Sequence, residues 1–282
     1  MIISRMDDGK TIYKAWRENN ERKFEQVEFR PYFYVEESEK EPPTYRPSKY
    51  IERDFDYVRG DWINIDGVPL KRVYVDTSYD IRKAKDMFSK TYEADVPYQF
   101  RYCVDELHDM PEYNMRKWYW DMEWQQGGEH DGKITTIVAY DNYDETYYQW
   151  SWFPEEYFDE QKERAIPFDF VFESEREMIE NFMTTMVVKD PDMLIAWFGN
   201  FADVPKLLER ACAVGLNPLI MSPIGFIKGV KNTKRDGYQF MYHEKGFSQI
   251  EQPIGGRITL NLDMAFERQW NDSQRGTLPS LS

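Results

Sequence analysis

The order of strand and helix patterns between residues 117 and 215 constrains the fold of this chain more than any other feature of its sequence. Three strand patterns come first, at 117–123, 134–141 and 145–153, and segments rich in Gly, Asp and Asn separate them. Consecutive strands joined by such turns favour antiparallel pairing. A helix, a short strand and a second helix follow, so the segment predicts a layered α/β fold.

Each helix of this segment has recognisable start and stop signals. The first is predicted from Ser174 to about residue 188, because Ser174 and Glu177 form a capping box and Pro191 ends the pattern. The second is predicted to begin near Asp203 and to end at Gly215.

The strand between the two helices, MLIAWF at 193–198, is apolar throughout and does not alternate. Such a run is typical of a strand buried on both faces, so we expect it at the centre of a sheet. A further strand is predicted at 256–262. The complete order matches the ribonuclease-H-like fold, a mixed sheet with helices.

The first hundred residues contain mainly strand patterns. An alternating run covers 23–35, a Pro-rich polar stretch at 39–50 predicts a loop, and helical spacing occurs at 80–90. We therefore predict two domains, a mostly β amino-terminal domain at 1–105 and an α/β domain at 106–282.

Composition and charge exclude several classes of protein. The two cysteines, Cys103 and Cys212, cannot form a disulfide framework, and neither has a second cysteine at metal-ligand spacing. With no signal-peptide pattern and no apolar run of about 18 residues, we expect a cytoplasmic protein that does not cross a membrane. The net charge of −15 by itself favours a protein with no role on nucleic acid. Binding of nucleic acid would need carboxylate-bound metals, aromatic stacking or a basic partner.

Two carboxylates lie close together in the first predicted strand, at Asp121 and Glu123. Residues two apart on a strand point to the same face, about 6.6 Å apart along the chain. Their repulsion is tolerated where the face is solvated or holds divalent cations, and hard oxygen ligands suit Mg²⁺ or Mn²⁺. In a chain with 51 acidic residues, the tripeptide Asp-x-Glu also arises by chance.

A third carboxylate, Asp203, follows the apolar strand at the start of the next helix. Ligands of α/β folds bind at the carboxyl ends of strands, which favours a functional role for this residue. The alternative, which the sequence alone favours, is a first-turn aspartate stabilised by the helix dipole. A pocket shared by Asp121, Glu123 and Asp203 is therefore a hypothesis that depends on the tertiary structure.

Five segments spread along nearly the whole chain carry a resemblance to a known family. They are RPYFYV at 30–35, VPYQFRY at 96–102, YWDME at 119–123, DPDMLIAW followed by DVPKLLERA within 190–211, and GRITLNL at 256–262. In this order they resemble the amino-terminal domain of family B DNA polymerases of viral or archaeal type, its bridge to the 3′→5′ exonuclease domain, the first and second exonuclease motifs, and the Gly-Arg strand that follows.

The chain departs from the family pattern in the second motif. The family has an Asn some five positions before the aspartate of this motif and a Phe directly before it. Here these positions hold Phe198 and Ala202, while Asn200 and Phe201 lie nearby.

Two further parts of the family pattern are missing. The third exonuclease motif, Tyr-x-x-x-Asp, comes some tens of residues after the Gly-Arg strand, and the sequence ends before it. The palm motif is missing too, because YVDTS at 74–78 lacks its second aspartate and lies in the amino-terminal module. Either a split gene, as in some viral polymerases, or a truncated sequence would explain this ending.

The resemblance implies a proofreading exonuclease that hydrolyses the 3′ end of single-stranded DNA with two Mg²⁺ or Mn²⁺ ions. It implies that Asp121, Glu123 and Asp203 are the catalytic residues and the metal ligands. Since the third motif is missing, we expect weak metal binding and little activity unless a further segment or chain supplies it together with the polymerase palm and thumb. The nucleic-acid contacts expected near the site are Trp124, Asn200 and Phe201.

Two other functions remain open. One is a non-catalytic scaffold that binds single-stranded nucleic acid or docks a polymerase half. The other is a free-standing nuclease of the same carboxylate superfamily, and the amino-terminal module argues against it.

The basic and histidine residues offer weaker signals. The one basic cluster is a solvated hairpin or, alternatively, a contact for a DNA backbone or a partner polypeptide; it comprises Lys228, Lys231, Lys234 and Arg235. The histidines are scattered, which disfavours a zinc site, and His130 is expected to be exposed in its turn. They are His108, His130 and His243.

Overall fold

The computed structural model describes residues 1–107, 113–165, 169–233, 235–241, 246–248 and 251–270. The chain divides into two compact units, Met1–Tyr113 and Asn114–Ser282. The helix Tyr98–Glu106 spans the predicted boundary at residue 105 and packs within the first unit. The assignment of each unit to a domain of a longer protein stays a prediction. None of the helices in these ranges is long and apolar enough to cross a membrane.

The first unit is built mainly from antiparallel strands, which confirms the predicted β-rich amino-terminal part. Its elements are β1 Ile2–Arg5, β2 Thr11–Glu18, β3 Glu21–Glu28, β4 Tyr32–Glu36, β5 Thr44–Ser48, β6 Ile51–Asp54, β7 Asp56–Ile63, β8 Pro69–Tyr74, α1 Ile81–Ala84 and α2 Tyr98–Glu106. One sheet has the order β1-β2-β3, a second has the order β4-β8-β7, and β5 pairs with β6.

Two local predictions for this unit are confirmed only in part, and the loop predicted at 39–50 is wrong. The run at 23–35 forms two strands, since Pro31, which lacks an N–H for a sheet ladder, lies between them. The segment at 39–50 contains β5, whose Tyr45 is buried with Phe55 in the core. The helix predicted at 80–90 is a single α-helical turn followed by a 3-10 turn.

The second unit contains the mixed sheet and helices that the pattern order predicts. Its elements are β9 Lys117–Trp124, β10 Ile134–Asp141, β11 Thr146–Trp152, α3 Glu155–Arg164, β12 Asp169–Phe172, α4 Glu175–Lys189, β13 Met193–Ala196, α5 Asp203–Ala213, β14 Val230–Thr233, β15 Gly237–Phe240, β16 Ile258–Asn261 and α6 Leu262–Trp270. The main sheet has the order β12-β11-β10-β9-β13-β16, and β14 pairs with β15.

The strand directions in this sheet follow the prediction. β9, β10 and β11 are antiparallel neighbours, whereas β13 runs parallel to β9 on one side and to β16 on the other. The apolar strand is therefore interior to the sheet, although it ends at Ala196, two residues before the predicted end. Two elements, α3 and β12, were not predicted from the sequence; β12 pairs in parallel with β11.

One face of the sheet packs on helices α4 and α5, and large aromatic side chains fill this interface. Trp118 and Trp150 are fully buried, and the ring of Phe182 from α4 lies 6.0 Å and 5.1 Å from them. Burial of side chains of this size contributes about 1.5–3 kcal/mol each. This core holds β9 rigidly against the helices.

The helix signals are confirmed. The Ser174 Oγ accepts a hydrogen bond from the Glu177 backbone N–H at 3.2 Å, as the capping box predicts. After α4, Asp190 adopts a left-handed conformation with φ of 49°, which stops the helix before Pro191. Gly215, with φ of 75°, follows α5.

Candidate active site

Strand β9 presents its carboxylates on the sheet face that α4 and α5 leave uncovered. Side chains alternate along a strand, and here Trp118, Trp120 and Met122 are buried whereas Asp121 and Glu123 are exposed. Because neighbouring strands pair with both edges of β9, the two carboxylates stand on a rigid element.

The loop that follows β13 brings a third carboxylate towards β9. β13 runs parallel to β9, with Ile195 opposite Tyr119, so the chain leaves β13 beside the carboxylates of β9. A tight turn, in which the Ala202 N–H donates to the Phe198 carbonyl at 2.8 Å, then leads into α5. Asp203 is the first residue of this helix and is only 4 % exposed.

All three predicted carboxylates line one cavity of about 620 Å³. This volume lies within the range of about 300–1,000 Å³ that is usual for ligand pockets. Apolar and aromatic side chains form most of the wall. The lining residues are Tyr119, Trp120, Asp121, Met122, Glu123, Trp124, Gln126, Val138, Ile195, Ala196, Trp197, Phe198, Ala202, Asp203 and Leu262.

The charges of the neighbouring carboxylates affect the pKa of Asp203. Burial, which is the largest cause, and the charges of Asp121 and Glu123 together raise the pKa of Asp203 to about 7. A hydrogen bond from the backbone N–H of Asp203 opposes this shift without cancelling it. Burial also raises the pKa of Asp121. The three acidic groups therefore form one coupled cluster.

The chemistry of this cluster suits a hard divalent cation, because carboxylate oxygens are its preferred ligands and a cation would relieve the mutual repulsion. The cluster is not a complete metal site by geometry. Within the described ranges, no group of three or more His, Cys, Asp or Glu side chains is close enough to hold a metal ion. Carboxylate oxygens are suitable ligands for Mg²⁺ or Mn²⁺. The described residues, however, supply only part of the ligand shell that such an ion needs.

The three residues expected to contact nucleic acid differ in their placement. Trp124 lines the cavity, and the Lys206 Nζ lies 5.9 Å from its ring centroid. Asn200 is fully buried and its amide donates to the Glu251 carbonyl at 3.2 Å, and its contact with nucleic acid stays a prediction. Phe201 is absent from the described residues of the cavity wall.

The cavity wall includes two aromatic residues, Trp197 and Phe198, that were not selected from the sequence. The signal that could have indicated them is the end of the apolar strand: β13 stops at Ala196, so the next two side chains lie where the chain turns out of the sheet. Spacing from Asp203 alone does not reveal this turn.

Other parts of the resembling motifs brace the sheet. Arg257, which is 2 % exposed, donates to the Met221 carbonyl at 2.7 Å and to the Asp190 carboxylate at 2.8 Å. The Asp192 carboxylate accepts from the backbone N–H of Arg116 at 2.9 Å. Asp190, Asp192 and Arg257 therefore hold the starts of β13 and β16 in position and do not face the cavity.

Among the described residues, the members of the basic cluster and His130 are not part of the cavity wall. Lys228 forms an ion pair with Glu251, and Lys231 lies in the β14–β15 hairpin; Lys234 falls outside the described residues, as do His108 and His243. The expectation that His130 is exposed is wrong, because its ring packs edge-on against Trp152 with centroids 5.6 Å apart.

The fold and the cavity together place the second unit among mixed-sheet α/β domains with a carboxylate-lined pocket at the carboxyl end of an interior strand. A family model described as DNA polymerase family B, exonuclease domain, matches residues 60–265. Since this match covers most of the chain, the chain belongs to the family B DNA polymerases.

Several archaeal proteins are similar to this chain. A DNA polymerase of Pyrococcus glycovorans is 28% identical over 94% of this chain and 34% of its own length. A DNA polymerase of Thermococcus kodakarensis is 25% identical over 91% of this chain and 16% of its own length. The family B DNA polymerase of Pyrobaculum calidifontis superposes with a TM-score of 0.59 at 16% identity, covering 93% of this chain and 36% of that one. The chain thus spans about a third or less of these relatives.

Proposed function

We propose that this chain is the amino-terminal and exonuclease part of a family B DNA polymerase and that it hydrolyses the 3′ end of single-stranded DNA in the 3′→5′ direction. The proposal depends most on one observation, that Asp121, Glu123 and Asp203 line a single cavity and are electrostatically coupled. Family membership supports the reaction class.

In this proposal the three carboxylates hold two divalent cations, Mg²⁺ or Mn²⁺, which activate water and stabilise charge on the phosphate when bound. Asp203 must lose its proton before it can serve as a ligand, and since its pKa in the cation-free cavity is about 7, cation affinity should increase as the pH rises towards neutrality. The side chains of Trp124 and Trp197 form an apolar part of the cavity wall, which shields the reacting phosphate from bulk water.

We also propose that a further polypeptide segment completes the site and carries polymerase activity. The chain spans about a third of the Pyrococcus glycovorans polymerase, and its described carboxylates leave a cation shell incomplete. A segment that adds one more acidic ligand would raise both cation affinity and cleavage rate.

The test is cleavage of a single-stranded oligonucleotide labelled at its 5′ end, with Mg²⁺ or Mn²⁺. Successive shortening from the 3′ end is the expected result. Asp121→Asn combined with Glu123→Gln should abolish it, whereas Glu129→Gln, which removes an exposed carboxylate from the nearby β9–β10 turn, should not. Cleavage that survives the double substitution would refute the assignment of the site.

A second function, a non-catalytic scaffold, is favoured by the incomplete ligand set within the described residues. In that case the fold binds single-stranded nucleic acid or docks a polymerase half without cleaving. The two functions separate when the downstream polypeptide of the same polymerase is added. Cleavage that then appears and needs Asp121 supports the exonuclease, and its continued absence together with intact complex formation supports the scaffold.

A further inference from the structure

Three tyrosines form a row across neighbouring strands of the second unit. Tyr119 on β9 lies directly opposite Tyr140 on β10, which in turn lies opposite Tyr147 on β11. The ring centroids are 6.3 Å apart in the first pair and 5.0 Å apart in the second. We call Tyr119, Tyr140 and Tyr147 the tyrosine row.

The tyrosine row stands on the uncovered face of the sheet. Tyr119 is 42% exposed and Tyr147 is 54% exposed. On the opposite face, Trp118 and Trp150 of the same strands are fully buried against the helices. The row is therefore separate from the core, although contact between its rings adds to strand pairing.

The row leads directly into the carboxylate cavity. Tyr119 itself lines the cavity, and Asp121 lies two residues further along the same face of β9, about 6.6 Å away along the strand. In the next row of the sheet, Val138 lies between Asp121 and Gln149 in register. A ligand that extends from the carboxylates back along β9 to Tyr119, and then across β10 and β11, would pass over the three rings.

We propose that the tyrosine row binds the bases of the nucleotides that precede the 3′ end of a single strand. This rests on the proposed function, which puts the terminal phosphodiester at Asp121. Aromatic rings accept any base by stacking, and only unpaired bases expose their faces to such a surface. The mode also suits a chain of net charge −15, because it does not depend on a basic surface.

Lys117 offers a positive charge for the strand's phosphates. Lys117 lies two residues before Tyr119, so strand alternation places it on the same face as the row. A lysine beside a set of stacking rings is the combination found in general single-strand sites. The occupant that fits is thus single-stranded nucleic acid, with its 3′ end at the carboxylates.

The first test measures binding by the full chain of a fluorescein-labelled oligothymidylate, by anisotropy, in EDTA so that no cleavage occurs. Tyr140→Ala and Tyr147→Ala should each weaken binding about tenfold, the scale of one lost base-ring stack. Tyr140→Phe keeps the ring and should retain binding. Phe170→Ala is the matched control, since this ring is 42% exposed on the same sheet but stacks with Tyr148.

Thermal unfolding of each variant shows whether the sheet is intact. Tyr147→Ala is the more informative variant, because removal of an exposed ring destabilises the sheet less than removal of a buried one. Unchanged affinity in folded Tyr140→Ala and Tyr147→Ala proteins would overturn the proposal. Equal weakening by Phe170→Ala would overturn it as well.

The second test removes bases from the ligand instead of rings from the protein. Abasic positions next to the 3′ end should weaken binding to the natural chain and have little further effect on Tyr140→Ala, because each change removes the same stack. Additive effects would refute the contact. Asp121→Asn should leave this binding intact, so loss of cleavage with retained stacking separates the row from the proposed reaction.

Discussion

Replacement of Asp203 by Asn should make the second unit more stable, and more so as the pH rises. Asp203 is nearly fully buried beside two other carboxylates, and its pKa is raised to about 7. A carboxyl group with a raised pKa opposes folding once it is ionised. Asn has nearly the same shape and carries no charge, so Asp203→Asn removes this cost.

The size of the effect follows from the shift. A rise from 3.8 to about 7 corresponds to about 4 kcal/mol, at about 1.36 kcal/mol per pH unit. Loss of a negative charge at the first turn of α5 offsets about 0.3–1 kcal/mol of this gain. The folded chain keeps a proton between pH 3.8 and about 7 that the unfolded chain has lost, so its stability falls as the pH rises through this window. We expect the advantage of the variant to grow by roughly 1–3 kcal/mol between about pH 5 and pH 8.5.

The assay is urea unfolding followed by tryptophan fluorescence, at several pH values and without divalent cations. Most of the tryptophans lie in the second unit, at 118, 120, 124, 150, 152, 197 and 270, so the signal reports mainly on that unit. Glu129→Gln is the control, because an exposed carboxylate should give a nearly flat difference. A flat difference for Asp203→Asn, or one that grows as the pH falls, would contradict the coupling of the three carboxylates.

Three further outcomes follow from the described contacts. Mg²⁺ at about ten times its dissociation constant should raise the melting temperature at pH 8 by about 3–6 °C, and thermal unfolding of Asp121→Asn/Glu123→Gln should show no such rise. Arg257→Met should lower the free energy of unfolding by about 3–5 kcal/mol, measured in urea, because it leaves the Asp190 carboxylate and buried carbonyls without their donor; a loss below about 1 kcal/mol would contradict the bracing role. Ser174→Ala should cost about 1 kcal/mol in the same assay through loss of the α4 cap, and Ser174→Asp should restore it.

The elements of the second unit were predictable because their signals are local. Alternation along β9, the capping box of α4 and the apolar run of β13 each depend on side chains a few residues apart. The strand β12 was not predicted, because it has only four residues and pairs in parallel with β11 across the α3 connection. Local reasoning also failed at 39–50, where the Pro-rich composition concealed the β5 strand.

The site was predictable only in part, for the same reason. Residue type and strand period were enough to select Asp121 and Glu123, and the resemblance to family B polymerases added Asp203. Spacing gave no indication that Asn200 would be buried or that Phe198 would line the cavity. Those outcomes depend on where β13 ends and how the loop to α5 folds back.

The sequence by itself determined most of the order of strands and helices in the second unit, the shared face of Asp121 and Glu123, and the family, because each follows from neighbouring residues or from a string of motifs. The tertiary structure alone decided that Asp203 meets the other two carboxylates in one cavity and that the three tyrosines align across separate strands. These are contacts between residues distant in the chain. They depend on sheet order and register, which arise only when the core packs.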